Sequence, residues 1–278
     1  MPIQKITSGV VDTSVFSSPT ITSPIVSGNL SLDSTGTSGI RLPAANTLAF
    51  HTAGTEDVRI DSSGNVGVGV TSLSDKLTIA HADEKGITFK ATGTDGTTAA
   101  QLFFEDTNGG TGGVFRFDHD VNSFTFATAG TTERMRIDSS GRVTKPYQPA
   151  FDAYGNAGGV TFTTEASIAF NSTTFNVGNH YNTSNYRFTA PVTGIYFFRA
   201  HVYKQSSGNA SRLRLQKNAA DVRFYTYISA SDTYTHQITG IISLTAGDYV
   251  ICTFGSDGAG TSIYLADNHS NFSGYLLG

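Results

Sequence analysis

Cysteine, charge and long apolar runs are all scarce in this chain of 278 residues. The single cysteine, Cys252, cannot form an intrachain disulfide, and its place in the apolar run 249–254 indicates a small buried side chain rather than a nucleophile. Charged residues make up 14% of the chain and the formal net charge is −4, so neither nucleic acid nor an anionic membrane surface is an expected partner. No run approaches the ~18 apolar residues of a membrane-spanning helix, and membrane insertion is not expected.

The N-terminal region is also poor in apolar residues. Its first residues lack the apolar core of a secretory signal peptide, so we expect synthesis in a cytoplasm, with release by lysis or by a dedicated export route. Residues 1–48 place prolines between widely spaced apolar residues, and one copy of such a segment cannot bury enough surface to offset its ordering entropy. The segment is predicted either to be disordered or to wind with identical copies into an extended shaft.

Glycine, serine and threonine are abundant instead, and helix-forming stretches are nearly absent. Short runs of β-branched and aromatic residues alternate with Gly, Asn, Asp and Ser, a pattern typical of an all-β protein with many tight turns. The short strands predicted in the middle of the chain are 76–79, 86–90, 100–104, 114–117 and 124–126. Asp118-His119-Asp120, between the last two, is predicted to be a hairpin turn rather than a metal site.

One phrase occurs twice. TAGTEDVRIDSSGNV at 52–66 recurs as TAGTTERMRIDSSGRV at 128–143, with one additional residue before the arginine. Each copy predicts strand, turn, strand: Val58 and Ile60 share one face with arginine on the other, and Asp-Ser-Ser-Gly forms the turn. The phrase resembles the ERMRIDSSGNVGIGTT element of phage tail-fibre proteins, especially those of marine cyanophages. The resemblance implies a virion appendage.

The C-terminal half carries a second set of motifs. Seven positions match the pattern of the C1q/TNF-like family, and Ala200 stands where that pattern has a further aromatic residue: Phe170, Asn176, Tyr181, Phe188, Gly194, Tyr196 and Phe198. RLRLQKN at 212–218, SLTAGDYV at 243–250 and SNFSGYLL at 270–277 resemble three more elements of the family, the first without its closing Gly. The resemblance implies a ten-stranded jelly roll that trimerises along its aromatic face. Strand-like alternation independently predicts a core of Phe188, Ala190, Tyr196, Phe198, Leu213, Leu215, Ile251 and Phe272.

These patterns predict an all-β trimeric fibre in three parts. Residues 1–48 would be a virion-attachment or shaft segment, 49–145 a β-rich, repeat-bearing middle domain, and 146–278 a C1q-like jelly-roll head. The preferred hypothesis is a bacteriophage tail fibre or receptor-binding protein. Its N-terminus would attach to another virion protein of the tail or baseplate, and its homotrimeric head would bind a polysaccharide or protein of the host surface.

The alternative is a structural virion appendage, such as a head fibre, neck whisker or auxiliary fibre, without a dedicated receptor. A bacterial surface adhesin is disfavoured by the missing export signal. An enzyme such as a depolymerase is not expected, because no Gly-x-Ser-x-Gly motif is present and the sparse acidic residues fall mostly in turns. Neither a cofactor nor a metal is predicted, since the histidines are scattered and no ligand spacing is legible.

Jelly-roll topology places alternate loops at the end of the head farthest from the stalk. These loops map to 204–211, 229–234, 255–261 and 267–271, and they are rich in the polar residues and tyrosine that suit recognition of sugars and peptides. The receptor-binding candidates are Lys204, Gln205, Ser206, Asn209, Ser231, Asp232, Tyr234, Ser256, Asp257, Asn268 and His269.

Overall fold

The structure is a computed structural model that describes residues 30–33, 35–81, 86–90, 99–105, 110–205, 209–266 and 269–278. Across these residues the regular structure is β-strand without helix, and the all-β prediction is confirmed. No helix long and apolar enough to cross a membrane occurs in this part of the chain. By its internal contacts the chain divides into two units, residues 1–88 and 89–278. The predicted boundaries at 48/49 and 145/146 stay predictions, and much of the 1–48 segment lies outside the described residues.

The first unit contains a six-stranded sheet in sequential order. Neighbouring strands are antiparallel except the last pair, which is parallel. Its strands are β1 (Leu30–Ser31), β2 (Gly39–Arg41), β3 (Leu48–Thr52), β4 (Thr55–Ile60), β5 (Val66–Val68) and β6 (Leu77–Ile79).

The second unit begins with a five-stranded antiparallel meander. Its strands are β7 (Ala99–Glu105), β8 (Thr111–Asp118), β9 (Ser123–Thr128), β10 (Thr132–Ile137) and β11 (Val143–Thr144). The predicted turn at Asp118-His119-Asp120 joins β8 to β9. The predicted strand at 86–90 is wrong, because these residues pair with no strand of the described chain.

The repeated phrase folds the same way in both sheets. Residues 52–66 run from the end of β3 through β4 to the start of β5, and residues 128–143 run from the end of β9 through β10 to the start of β11. Both hairpins turn on an Ala-Gly pair of positive φ, with φ of 48° and 83° at Ala53 and Gly54 and of 50° and 82° at Ala129 and Gly130. The additional residue of the second copy, Thr131, falls in the turn, so the paired strands keep their length.

The Asp-Ser-Ser-Gly turns are closed by their aspartates. The Asp61 Oδ1 accepts hydrogen bonds from the backbone N–H of Ser63 (2.8 Å) and Asn65 (2.9 Å), and the Asp138 Oδ1 accepts from Ser140 (2.9 Å) and Arg142 (3.0 Å). These bonds stabilise the ionised carboxylates and lower the pKa of both groups; at Asp138 the largest cause is the side-chain bond from Arg142.

A β-bulge sits at the same place in each copy, directly after a glutamate. In the first copy, Phe50 and His51 of β3 pair with Val58 and Glu56, so Asp57 of β4 is the extra residue. In the second copy, the extra residue of β10 lies between Glu133 and Met135. In a regular strand residues i and i+3 point to opposite faces, but one bulged residue brings them to the same face. Arg59 accordingly pairs with Glu56, with Nε–Oε1 and Nη2–Oε2 distances of 2.6 and 2.8 Å, and Arg136 pairs with Glu133.

The head is a sandwich of two sheets. In the sheet that we call inner, the strands run in the order β13-β23-β18-β24-β12-β15. Strands β23 and β24 pair with successive parts of one edge of β18, and β21 pairs along its other edge. In the outer sheet the strands run β16-β17-β22-β19-β20, and β14 also pairs with β22. The strands are β12 (Ala150–Tyr154), β13 (Gly159–Phe162), β14 (Ala166–Ser167), β15 (Ser172–Val177), β16 (Tyr181–Asn182), β17 (Arg187–Thr189), β18 (Gly194–Lys204), β19 (Ser211–Lys217), β20 (Asp221–Ile228), β21 (Tyr234–Leu244), β22 (Tyr249–Ser256), β23 (Thr261–Tyr264) and β24 (Asn271–Leu276).

One continuous aromatic core fills the space between the sheets. The Phe151 ring stacks on Tyr181 and Phe188 with centroid distances of 4.8 and 5.0 Å. Seven of the eight predicted core residues lie in this cluster, and the eighth, Ile251, is buried as predicted but lies outside the cluster. Ile251 is buried on the outer face of β22, because the strand alternation turns Val250, Cys252 and Phe254 inward instead.

The head has two distinguishable ends. At the base end the chain enters through Gln148, whose side chain donates to the Leu276 carbonyl, and Gly194 lies beside Gly278. From there β18 and β21 pair over eleven positions, from Gly194↔Leu244 to Lys204↔Tyr234. This ladder leads to the opposite, or tip, end, and at ~3.4 Å per residue it is roughly 34 Å long.

Candidate functional site

The loops predicted for the tip end do meet there. Loop 204–211 joins β18 to β19, loop 229–234 joins β20 to β21, and loop 255–261 joins β22 to β23. Two backbone hydrogen bonds connect the first and third of these loops: Asp257 N donates to Ala210 O at 2.8 Å, and Gln205 N donates to Ser262 O, just beyond the third loop, at 2.9 Å. The candidates Ser206 and Asn268 lie outside the described residues.

Lys204 is buried beneath these loops, with 0% of its surface exposed. Its ammonium donates hydrogen bonds to the carbonyl oxygens of Ser229 (2.8 Å), Asn209 (3.3 Å) and Ala230 (3.3 Å), which belong to two different loops. Desolvation by burial lowers the pKa of Lys204, and the nearby Asp232 carboxylate opposes that shift. Lys204 therefore fixes the shape of the tip from inside and offers no surface to a ligand.

Asn209 holds loop 255–261 in place through hydrogen bonds. Its side-chain amide donates to Gly260 O at 3.1 Å, while its backbone carbonyl accepts from Thr261 Oγ1 at 3.3 Å. Ser256 Oγ lies 3.0 Å from Thr261 Oγ1, so both groups are occupied within the loop cluster. The candidates Asn209 and Ser256 thus hold the tip together in the same way as Lys204.

Tyr234 is the most exposed large side chain of the tip, with 72% of its surface accessible. Its φ of 87° lies in the left-handed region, which is unfavourable for a bulky residue and persists only where the surroundings impose it. Ser231, Asp232 and Gln205 are also exposed, and Asp232 accepts a hydrogen bond from Ser229 N at 3.2 Å. These four side chains and the exposed Asp257 of loop 255–261 form the accessible part of the predicted site.

His269 comes from the fourth predicted loop and lies on the inner-sheet side. Its ring contacts those of Tyr264 and Tyr203, with centroid distances of 4.7 and 5.5 Å. Its Nδ1 is buried without a hydrogen-bond partner among the described residues. His269 therefore packs on tyrosines of β18 and β23.

Sequence reasoning missed a polar surface on the outer sheet. Arg212 forms an ion pair with the candidate Asp257 and lies over the ring of Tyr227, with 5.9 Å from Cζ to the ring centroid. Tyr225 and Tyr227 are 67% and 58% exposed. The alternation of β20 places them on one face, and this was the available signal.

The residues of the seven-position motif serve the fold rather than a ligand. The Tyr181 hydroxyl donates to Phe170 O at 2.9 Å, and the Tyr196 hydroxyl donates to Val192 O at 2.7 Å. Asn176 closes the intervening turn, donating to Tyr181 O at 2.8 Å and accepting from Tyr181 N at 3.1 Å. The described residues contain no group of three or more His, Cys, Asp or Glu side chains placed to hold a metal ion.

The fold and these motifs agree with a family model. The C1q domain model matches residues 150–277. These residues form a C1q/TNF-like domain. The prediction of a C1q-like head is thereby confirmed. Among the described residues its jelly roll carries thirteen strands rather than the ten implied by the resemblance, and two of them, β14 and β16, are only two residues long.

Curated relatives match the same region. The mouse collagen alpha-1(X) chain is 34% identical over 117 residues, which cover 40% of this chain and 16% of the collagen chain. The mouse complement C1q tumor necrosis factor-related protein 3 is 31% identical over 116 residues, which cover 40% of this chain and 45% of that protein. The chain thus spans less than half of either relative.

Among solved structures, the globular domain of the zebrafish complement 1qA protein covers 47% of this chain and 98% of its own, with 22% identity and a TM-score of 0.39.

Proposed function

We propose that the chain is a bacteriophage tail fibre or receptor-binding protein whose C1q/TNF-like head presents its tip loops to the host cell surface. One observation carries the proposal. Three loops, distant in sequence, are fixed by Lys204 and Asn209 into a single surface at the end of the head opposite the chain entry. The resemblance of the repeated RIDSSG phrase to tail-fibre proteins supports the placement on a virion.

The ligand class follows from the side chains of the tip. Tyr234, Ser231, Asp232 and Gln205 offer an aromatic ring, hydroxyl and amide groups and one carboxylate. Such a set binds through hydrogen bonds and ring contacts without a strong charge requirement. It fits a surface polysaccharide, or a polar protein surface, better than an anionic polymer.

C1q/TNF-family domains typically form homotrimers. We propose the same state for this chain, since three tips on one particle raise the affinity of an individually weak site by avidity. In this proposal the protein is not an enzyme, requires no cofactor or metal, and attaches through its N-terminus to another protein of the virion tail or baseplate.

A structural appendage without a dedicated receptor is the second candidate. It is favoured by the ordinary bonds that occupy Asn209 and Ser256, because these candidates serve the fold. The two functions differ in what the isolated protein does to cells, and a binding experiment separates them.

The experiment is competition for adsorption. The purified full chain is incubated with candidate host cells before phage are added, and the chain bound to cells and the phage adsorbed are both measured. We expect the chain to bind and adsorption to fall. A chain that neither binds nor blocks, while antibody still labels the particle, would assign it to the structural appendages.

Tyr234→Gly sharpens the experiment. Because glycine accepts a φ of 87° without strain, this variant is expected to fold at least as stably as the parent and to bind cells at least tenfold more weakly. Tyr147→Gly, at an exposed tyrosine outside the tip loops, is the matched control and should bind normally. Equal loss of binding in both variants would remove Tyr234 from the site.

A further inference from the structure

The β7–β11 sheet has one face built almost wholly from apolar side chains. We call it the Phe face, and its members lie in two rows of directly paired residues: Leu102, Phe115, Phe126 and Met135 in one row, and Ala100, Phe117, Phe124, Ile137 and Val143 in the other. The aromatic rings contact one another, with centroid distances of 4.8 Å for Phe115–Phe126 and 4.7 Å for Phe117–Phe124.

The Phe face is open to solvent in the single chain. Phe115, Phe124 and Phe126 keep 36%, 40% and 41% of their surface exposed, and Leu102 keeps 41%. Phe89 reaches the edge of the face and, with its neighbours, lines a groove of about 440 Å³. At roughly 200 Å² for a whole aromatic side chain, each of these rings leaves on the order of 80 Å² uncovered, so the face as a whole exposes several hundred Å².

The opposite face of the same sheet carries its charges. Arg116 pairs with Asp118, and Arg136 pairs with Glu133 while also donating to Ser123 Oγ at 3.2 Å. All four charged groups are therefore paired within the chain. No charged side chain belongs to the two rows of the Phe face, so two copies of that face can meet without repulsion or unpaired charge.

The sheet of the first unit repeats this design. Phe50, Val58, Val68 and Ile79 are paired in one row, and Leu48, Ile60, Val66 and Leu77 in the next. Phe50, Ile60 and Val68 are 40%, 37% and 37% exposed, while Ala49 on the other face is fully buried. In both sheets the apolar side of the repeated phrase is thus the one left open.

A single sheet with one apolar face must bury that face against another layer. Single chains rarely expose a contiguous apolar patch of this size unless it binds something. In the β7–β11 sheet the covering layer must be apolar, uncharged and of matching size, and the same face of further copies of this chain meets all three requirements.

We propose that the Phe face packs against the Phe faces of two further copies of this chain, around a three-fold axis that continues the axis of the head. The inference rests on the proposed trimeric fibre and deepens it, by giving the repeat-bearing segment its own trimer interface. The paired charges of Arg116 and Arg136 then lie on the outside, in contact with water.

Thiol reactivity tests the proposal, because the native Cys252 is 1% exposed and silent in the folded protein. Leu102→Cys places a thiol on the Phe face, and Val121→Cys places one in the exposed β8–β9 turn of the same full-length chain. Labelling rates are measured together with the sedimenting mass. We expect a chain with the mass of a trimer in which the thiol at 102 reacts at least tenfold more slowly than the thiol at 121.

The second part of the test introduces an aspartate on one or the other face of the β7–β11 sheet. Phe124→Asp, combined with Leu102→Cys, should restore fast labelling, because a carboxylate cannot be buried among the rings. Thr125→Asp is the matched control: its neighbours across the ladder are Arg116 and Arg136 on the polar face, so labelling should stay slow.

The labelling rate and the mass together distinguish the Phe-face interface from the proposed trimeric fibre. Fast labelling at 102 in a trimer overturns this inference and leaves the proposed fibre standing. Slow labelling in a monomer also overturns it, since a segment of the same chain then covers the face. Fast labelling in a monomer removes both the interface and the trimeric fibre.

Discussion

At the scale of single residues, the head contains protonated groups whose ionisation its core resists. Burial raises the pKa of the Cys252 thiol and of the Tyr181 phenol, because neither ionised form can be solvated there. Each group therefore contributes stability that is fully present below its unfolded pKa and is lost as pH rises above it. For a free thiol that loss begins near ~8.5.

Cys252→Ala isolates the thiol contribution. We expect the free energy of unfolding of the parent to fall with pH above about 9 more steeply than that of the variant, by up to about 1.4 kcal/mol per pH unit. The measurement is denaturant unfolding at several pH values and one protein concentration. Tyr181→Phe is the companion variant, and its free energy of unfolding should fall less steeply with pH than that of the parent from about pH 10 upward. Parallel curves for parent and Cys252→Ala would contradict the assignment.

The sequence was informative about some residues and silent about others. The burial of Cys252 followed from its apolar run and is confirmed. Lys204 illustrates the limit, because a lysine at the start of a predicted tip loop is expected to be a solvated charge. The three carbonyl oxygens that hold it come from loops about five and twenty-five residues further along the chain, and no local pattern announces such a contact.

At the scale of elements, the repeated hairpin tolerates a change of length in its turn and not in its strands. Thr131 lengthens the turn from two residues to three, while the pairs beyond it, such as Met135↔Phe126 and Val58↔Phe50, stay equivalent. A residue lost from the middle of a strand would instead turn the following side chains to the opposite face.

Deletion of Thr131 is therefore expected to cost less than about 1 kcal/mol, since the first copy already uses the two-residue Ala-Gly turn. Deletion of Thr125 should cost several kcal/mol, because it moves part of β9 to the wrong face of the sheet. Thermal unfolding of the two deletions and the parent compares them. Similar losses in both would show that the turn length is fixed as tightly as the strand.

The bulge could have been predicted from the sequence. Strand alternation in VRI and MRI assigned the arginine to the polar face, as the structure confirms. The glutamate three residues earlier would then face the other way in a regular strand. An ion pair between the two therefore requires a bulge at one of the residues that separate them, and the E-x-x-R spacing in both copies was the sequence signal for that bulge.

At the scale of the whole molecule, the family pattern predicted the sandwich because its aromatic positions are the core itself. Of the pattern's aromatic residues, Phe198 contacts both Phe188 and Phe272 in the structure, and their spacing in sequence reflects that packing. The organisation of the middle region was less predictable, because it depends on which hairpins join one sheet. The two copies of the repeat lie in separate sheets and separate units, although they are alike in sequence.

The long β18–β21 ladder also determines how the head responds to mechanical load. The chain enters at the base through Gln148, and any ligand held at the tip lies beyond Lys204 and Tyr234, at the far end of the same eleven pairs. In the proposed fibre, a pull between cell and particle is directed along the strands, while the ladder bonds run perpendicular to them. The bonds are loaded in shear and share the force, instead of opening one by one as a peeled edge would.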